Sequence, residues 1–131
     1  MRKSISFQSD IDNVVLAENF IDSICTENQI SEEIYGNVLV ATIEAVANAI
    51  KHGNRQDLTK YVFIDAVLND GRLEISIKDE GMGFNPASLP DPTLPENILK
   101  FSGRGIYLIK SLSDGVEFQE GGTLLKMTFK L

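Results

Sequence analysis

The chain has 131 residues, 43% of them hydrophobic and 24% charged, which is one domain's length and the composition of a soluble folded protein. Twelve Lys and Arg against nineteen Asp and Glu leave a net charge of −7. That argues against a dedicated nucleic-acid binder, which needs a basic face to displace phosphate counterions. The single cysteine, Cys25, excludes an intrachain disulfide, a redox pair and a thiolate zinc cage, and the single histidine, His52, excludes a multi-His metal site.

No apolar run of signal-peptide type follows the opening Met1-Arg2-Lys3. The most apolar stretch, residues 38–50, is broken by Glu44 and Asn48 and is shorter than the ~20 residues of a membrane span. The expectation is a cytoplasmic protein with no membrane partner and no direct contact to nucleic acid.

In chain order, residues 3–8 alternate apolar and polar and read as a short strand. Apolar residues at 11, 14, 15, 20, 21, 24 and 25 have the spacing of an amphipathic helix over 11–26. Ser31 is the predicted N-cap of a second helix, with Glu32 and Glu33 at its positive end and a stop near Gly53-Asn54. Residues 61–68 and 72–78 read as two strands joined by a tight turn at Asp70-Gly71. Residues 84–102 carry four prolines and little periodicity, which is long for a connection inside a compact domain and has the character of a lid. A helix at 104–112 and strands at 116–119 and 123–131 complete one domain over residues 1–131. The order predicts an α+β fold, a two-layer sandwich of a mostly antiparallel sheet with helices on one face.

Four segments can carry chemistry. On the second helix Glu33, Asn37, Glu44, Asn48, Lys51 and His52 share one arc, which is also what a solvated face looks like. Glu44 and Asn48 nevertheless project together from adjacent turns. A carboxylate there can take a proton from an attacking hydroxyl, and an amide oxygen is a hard, neutral ligand for a magnesium ion. Lys51 can add positive charge. Asp79-Glu80-Gly81-Met82-Gly83 follows a strand; read plainly it is a turn, but Asp79 would accept from a donor such as an exocyclic amine, and Gly81 and Gly83 let backbone approach a flat base. Ser102-Gly103-Arg104-Gly105 lies just before a predicted helix, a lid hinge or a phosphate site in which backbone N–H groups and Arg104 meet an anion. Gly121-Gly122-Thr123 is a hairpin turn whose Thr123 hydroxyl can reach a base or a water. Cys25 sits on an apolar stripe and reads as a small core residue.

Taken together, EAVANAIKHGN at 44–54, DEGMGF at 79–84, SGRGI at 102–106 and GGT at 121–123 resemble, in order and spacing, the four motif boxes of the GHKL (Bergerat-fold) ATP-binding domains. Within that superfamily the chain is most similar to the stand-alone anti-sigma factor serine/threonine kinases of the RsbW and SpoIIAB type, over essentially its whole length. The resemblance implies ATP with Mg2+ as cofactors. It makes Glu44 the general base, Asn48 the magnesium ligand and Asp79 the residue that meets the adenine amine. Gly81 and Gly83 shape the base pocket, Gly103 and Gly105 lie at the phosphates with Lys51 and Arg104 nearby, Thr123 closes the adenine side, and 84–102 is the ATP lid. It implies transfer of the γ-phosphate to a serine of a STAS-domain anti-sigma antagonist, and binding of a sigma factor. Related anti-sigma kinases dimerise, which makes the first helix a candidate self-association surface. Two other functions fit the same fold: a non-catalytic module in which ATP gates partner binding, and a stand-alone histidine kinase catalytic domain.

Overall fold

The computed structural model describes residues 1–82 and 101–131. Within them the order is β1 (Arg2–Gln8), α1 (Val14–Glu27), α2 (Glu32–Asn48), β2 (Tyr61–Asn69), β3 (Arg72–Lys78), α3 (Phe101–Leu112), β4 (Gly115–Gln119) and β5 (Leu124–Lys130). The strands form one antiparallel sheet in the spatial order β1-β2-β3-β5-β4. The predicted α+β sandwich is therefore the observed architecture.

Local chemistry explains the boundaries. Asp10 accepts a hydrogen bond from the Asp12 N–H at 3.0 Å and starts a short 3-10 turn that leads into α1. Ser31 has extended backbone geometry and its hydroxyl accepts from the Ile34 N–H at 3.4 Å, with Glu32 and Glu33 in the first turn of α2. Asn69 pairs with Arg72, so the β2–β3 loop is the two residues Asp70 and Gly71, both at positive φ (52° and 73°). That is the primed turn whose twist matches the strands it joins.

Every second residue of the central strands faces the helices. Val62, Ile64 and Ala66 of β2, Leu73, Ile75 and Ile77 of β3, and Leu125, Met127 and Phe129 of β5 are all buried. They close on Ile21 and Ile24 of α1, Val38, Ala45 and Val46 of α2, and Ile109 of α3. Each large side chain buried in this way contributes roughly 1.5–3 kcal/mol. The opposite face carries ion pairs, Arg2 with Asp65 at 3.3 Å and Lys126 with Glu74 at 3.2 Å, which link neighbouring strands. Cys25 is buried in the core, as its place on the apolar stripe predicts.

Two expectations change. The second helix does not run as one α-helix to His52: it ends at Asn48 and continues as a π-helical turn over Ala49–Gly53, closed by the Asn54 N–H on the Ala49 carbonyl at 2.8 Å. An extra residue in a turn widens it and redirects the chain beyond it, and such turns often accompany functional sites. The third helix starts at Phe101, not 104, so Gly103 and Arg104 lie inside its first turn and not ahead of it. Glycine's low propensity argues for a loop there, but packing overrides it: Gly105 lies against Asn48 of α2, where a Cβ would stand 2.7 Å from the amide nitrogen. Gly83 and the proposed lid, up to residue 100, lie outside the described residues.

Candidate functional site

A cavity of about 480 Å3 opens between the C-terminal part of α2, the end of β3, the start of α3 and the β4–β5 connection. That is the size of an ordinary small-molecule site. Ala45, Ala49, Ile77, Ile106, Phe118 and Leu125 supply its apolar surface, and Asn48, Asp79, Lys60 and Thr123 its polar groups.

Asp79 stands where β3 ends. Its N–H donates to the Thr123 carbonyl at 3.0 Å, which ties it to the start of β5, and its Oδ1 accepts from the Gly81 N–H at 2.8 Å. Burial pushes its carboxyl above the ordinary carboxylate range, while the Gly81 N–H and Lys60 act in the opposite direction. The carboxylate lies against bare backbone. A Cβ on Gly53 would sit 2.5 Å from the Asp79 Cγ, and one on Gly81 would sit 2.7 Å from the carbonyl carbon of Gly53. Neither position accommodates a side chain, so both glycines are required by close approach.

Asn48 is the last residue of α2 and lines the cavity. Its Nδ2 and Oδ1 are buried, and among the described residues neither has a hydrogen-bond partner. An amide left unsatisfied in a native site calls for a ligand. A hard oxygen donor at the wall of a cavity fits a divalent cation that keeps its other ligands from water and phosphate.

Thr123 lines the cavity and donates its hydroxyl to the Glu120 carbonyl at 2.9 Å, which leaves the oxygen's lone pairs as acceptors. The three residues before it, Glu120, Gly121 and Gly122, are all at positive φ (52°, 67° and 94°), and this backbone turn sets the hydroxyl's place. Glu44, one turn ahead of Asn48, is half-buried and is not part of the cavity lining; nor is Lys51, in the π-helical turn. Gly103, Arg104 and Gly105 all belong to α3, with Gly105 buried against Asn48. Asp79, Gly81, Asn48 and Thr123 thus converge on one cavity, and Glu44 stands on the same helix outside its wall.

Sequence reasoning missed Asn54, Asp57 and Lys60. Asn54 reads as a helix stop, yet it is 1% exposed and fully hydrogen-bonded. Burial, and to a lesser degree Lys51, lower the affinity of His52 for a proton at the cavity rim.

Residues 7–129 match the family described as histidine kinase-like ATPase domain. The anti-sigma F factor of Oceanobacillus iheyensis is 32% identical over 135 residues, covering 98% of this chain and 91% of that one. The serine-protein kinase RsbW of Bacillus mycoides is 32% identical over 94 residues, covering 66% of this chain and 58% of that one. Among solved structures, that of the RsbU and RsbW domains of Rv1364c from Mycobacterium tuberculosis superposes with a TM-score of 0.69 at 16% identity. It covers 98% of this chain and 31% of that longer one, a likeness of fold.

Proposed function

The chain belongs to the histidine kinase-like ATPase family, and we propose that it is an ATP-dependent serine/threonine protein kinase that doubles as an anti-sigma factor. One observation carries the reading: a single cavity holds a half-buried carboxylate at Asp79 and, among the described residues, an unsatisfied amide at Asn48, in a chain similar along its whole length to an anti-sigma F factor.

In this reading Asp79 accepts from the adenine amine, Gly81 and Gly83 let the backbone approach the base, and Thr123 closes the pocket. Asn48 holds Mg2+, which when bound neutralises phosphate charge. Gly103 and Arg104 lie in the first turn of α3, where backbone N–H groups can meet the phosphates, and Gly105 follows them. Lys51 adds positive charge next to them. Glu44 orients the serine hydroxyl of the partner and takes its proton as the oxygen attacks the γ-phosphorus and the bond to the β-phosphate oxygen breaks. The partner is an anti-sigma antagonist of the STAS type, and the same protein sequesters a sigma factor in the cytoplasm. No helix among the described residues is long and apolar enough to cross a membrane. The segment from residue 84 to the start of α3 acts as the lid that makes partner affinity depend on the nucleotide. Self-association into a homodimer would use β1, an edge strand, and the exposed Ile11, Val15 and Leu16 beside it.

The test is incubation of the protein with Mg·ATP labelled on the γ-phosphate and candidate antagonists. Acid-stable phosphoserine on the antagonist supports the kinase, and acid-labile phosphate indicates a histidine kinase. A second reading, a module in which ATP only gates partner binding, is favoured by the position of Glu44 outside the cavity lining. ATP binding without transfer to any antagonist would establish it.

A further inference from the structure

The three successive backbone N–H groups of Asp79, Glu80 and Gly81 each have a different acceptor. That of Asp79 bonds the Thr123 carbonyl at 3.0 Å, and that of Gly81 bonds the Asp79 carboxylate itself at 2.8 Å. The middle one, of Glu80, bonds the side-chain Oδ1 of Asn54 at 2.7 Å. Among the described residues, Asn54 is therefore the only side chain outside this segment that holds its backbone N–H groups.

The other end of the same amide is equally committed. Its Nδ2 donates to the Ser9 hydroxyl at 2.7 Å and to the Tyr61 carbonyl at 2.9 Å. The Ser9 hydroxyl in turn donates to the Lys60 carbonyl at 2.8 Å, and the Tyr61 N–H returns a bond of 2.6 Å to the Glu80 carboxylate. One side chain thus joins the end of β1, the start of β2 and the loop after β3. It is placed to do so by the π-helical turn, whose Gly53 presses against Asp79 and Gly81.

We propose that Asn54 is a positioning residue for base recognition: by fixing the Glu80 peptide it fixes the Asp79 carboxylate against a base carrying an exocyclic amine. The proposal rests on reading the cavity as the ATP site. A fixed, acceptor-only carboxylate rewards the adenine amine and rejects a base that presents a carbonyl oxygen at the same place, because two acceptors then face each other. Asn54 therefore governs discrimination between adenine and guanine nucleotides as well as affinity. Its two ends separate the roles: Oδ1 serves the base loop, and Nδ2 serves the joint between β1 and β2.

Calorimetric titration of Mg·ATP and Mg·GTP into wild type, Asn54→Ala and Ser9→Ala tests this, with folding checked by circular dichroism. Asn54→Ala is expected to weaken ATP binding about tenfold or more and to narrow the ATP-to-GTP affinity ratio by a similar factor. Ser9→Ala is expected to lower the melting temperature while leaving both affinities within about twofold of wild type. The ratio is the decisive readout, because general destabilisation lowers the folded fraction equally for both nucleotides. An unchanged ratio in Asn54→Ala, or an equal narrowing in Ser9→Ala, overturns the proposal. If Asn54→Ala does not fold, Asn54→Asp replaces it, since it keeps the acceptor for Glu80 and gives up the donors to Ser9 and Tyr61. It should lose stability and keep the ratio, and a collapsed ratio overturns the proposal. A folded wild type that binds no Mg·ATP removes the site itself, and this proposal with it.

Discussion

The backbone of Gly53 and the backbone of Gly81 are in direct apposition: a Cβ on Gly81 would stand 2.7 Å from the Gly53 carbonyl carbon and 2.9 Å from the Asp79 Oδ1. The end of the π-helical turn and the loop after β3 leave no room for a Cβ at Gly81, and the Asp79 carboxylate lies beside them. Gly81→Ala forces them apart. It should cost about 1–3 kcal/mol of stability, a typical overpacking penalty, and abolish measurable ATP binding. Chemical denaturation and calorimetry on the same variant check both. Gly71→Ala, at a turn where a Cβ meets nothing within 4 Å, should leave ATP binding intact.

Asp79 is held in place at a cost to the fold. Its carboxyl titrates above the ordinary value because burial disfavours the charged form. For a group raised in the folded state, the stabilisation is full below the unfolded-state pKa and is lost as pH rises through the folded one. At neutral pH the ionised Asp79 is therefore a net cost to the fold. Asp79→Asn should abolish ATP binding yet melt at a higher temperature than wild type at pH 7. The advantage should shrink as pH falls into the carboxylate range, which a series of thermal melts from neutral to acidic pH measures. A variant less stable than wild type at pH 7 would contradict this account.

Most of the fold is legible in local pattern, and the reasons are specific. Period-2 alternation marks β2 and β3, Asp70-Gly71 marks their turn, and Ser31 with Glu32 and Glu33 marks the start of α2. Asn48, Asp79, Gly81 and Thr123, which the structure brings to one cavity, are singled out in the sequence by the resemblance of the ordered motif set, since each segment alone also reads as a solvated face or a turn. The π-helical turn is not, since residues 49–53 carry the same apolar spacing as an α-helix would. Nor is Asn54: its partners Ser9 and Glu80 are 45 and 26 residues away, and only the folded sheet brings them together. The helical start of α3 is hidden because two glycines in its first five residues argue against it, until Gly105 is seen packed on Asn48.

Glu44 tests whether the chemistry is transfer or gating. It is half-buried on α2, one turn from Asn48, and is not among the residues that line the cavity. Glu44→Ala should leave the affinity for Mg·ATP within about twofold and reduce phosphoryl transfer roughly 10²–10⁴-fold, the usual range for loss of a general base. A single-turnover assay with a cognate antagonist measures the second quantity. Transfer at the wild-type rate would remove Glu44 from the role of base.

Thr42 is fully buried on α2 and its hydroxyl has no hydrogen-bond partner among the described residues. A buried hydroxyl without a partner has lost its water and gained nothing. Thr42→Val keeps the branched shape and removes the unsatisfied group, and should stabilise the domain by about 1 kcal/mol. For a chain of this length that is a rise of roughly 3–5 °C in Tm. ATP affinity should not change, because Thr42 is not part of the cavity lining.

Cys25 should be chemically silent. It is buried in the core on α1, and burial, with the Asp22 carboxylate as a smaller contribution, pushes its thiol up to about 11. The thiolate is the reactive form, so at pH 8 the folded protein offers almost none of it and shields what there is. An aromatic disulfide reagent should label Cys25 only at the rate at which the domain opens, and at once in guanidinium chloride. Since the label reports opening of the α1 core, ATP should slow it in wild type by mass action and leave it unchanged in Asp79→Asn, which is expected not to bind the nucleotide. Labelling at the rate of a free thiol in the native state would show that α1 does not pack as described.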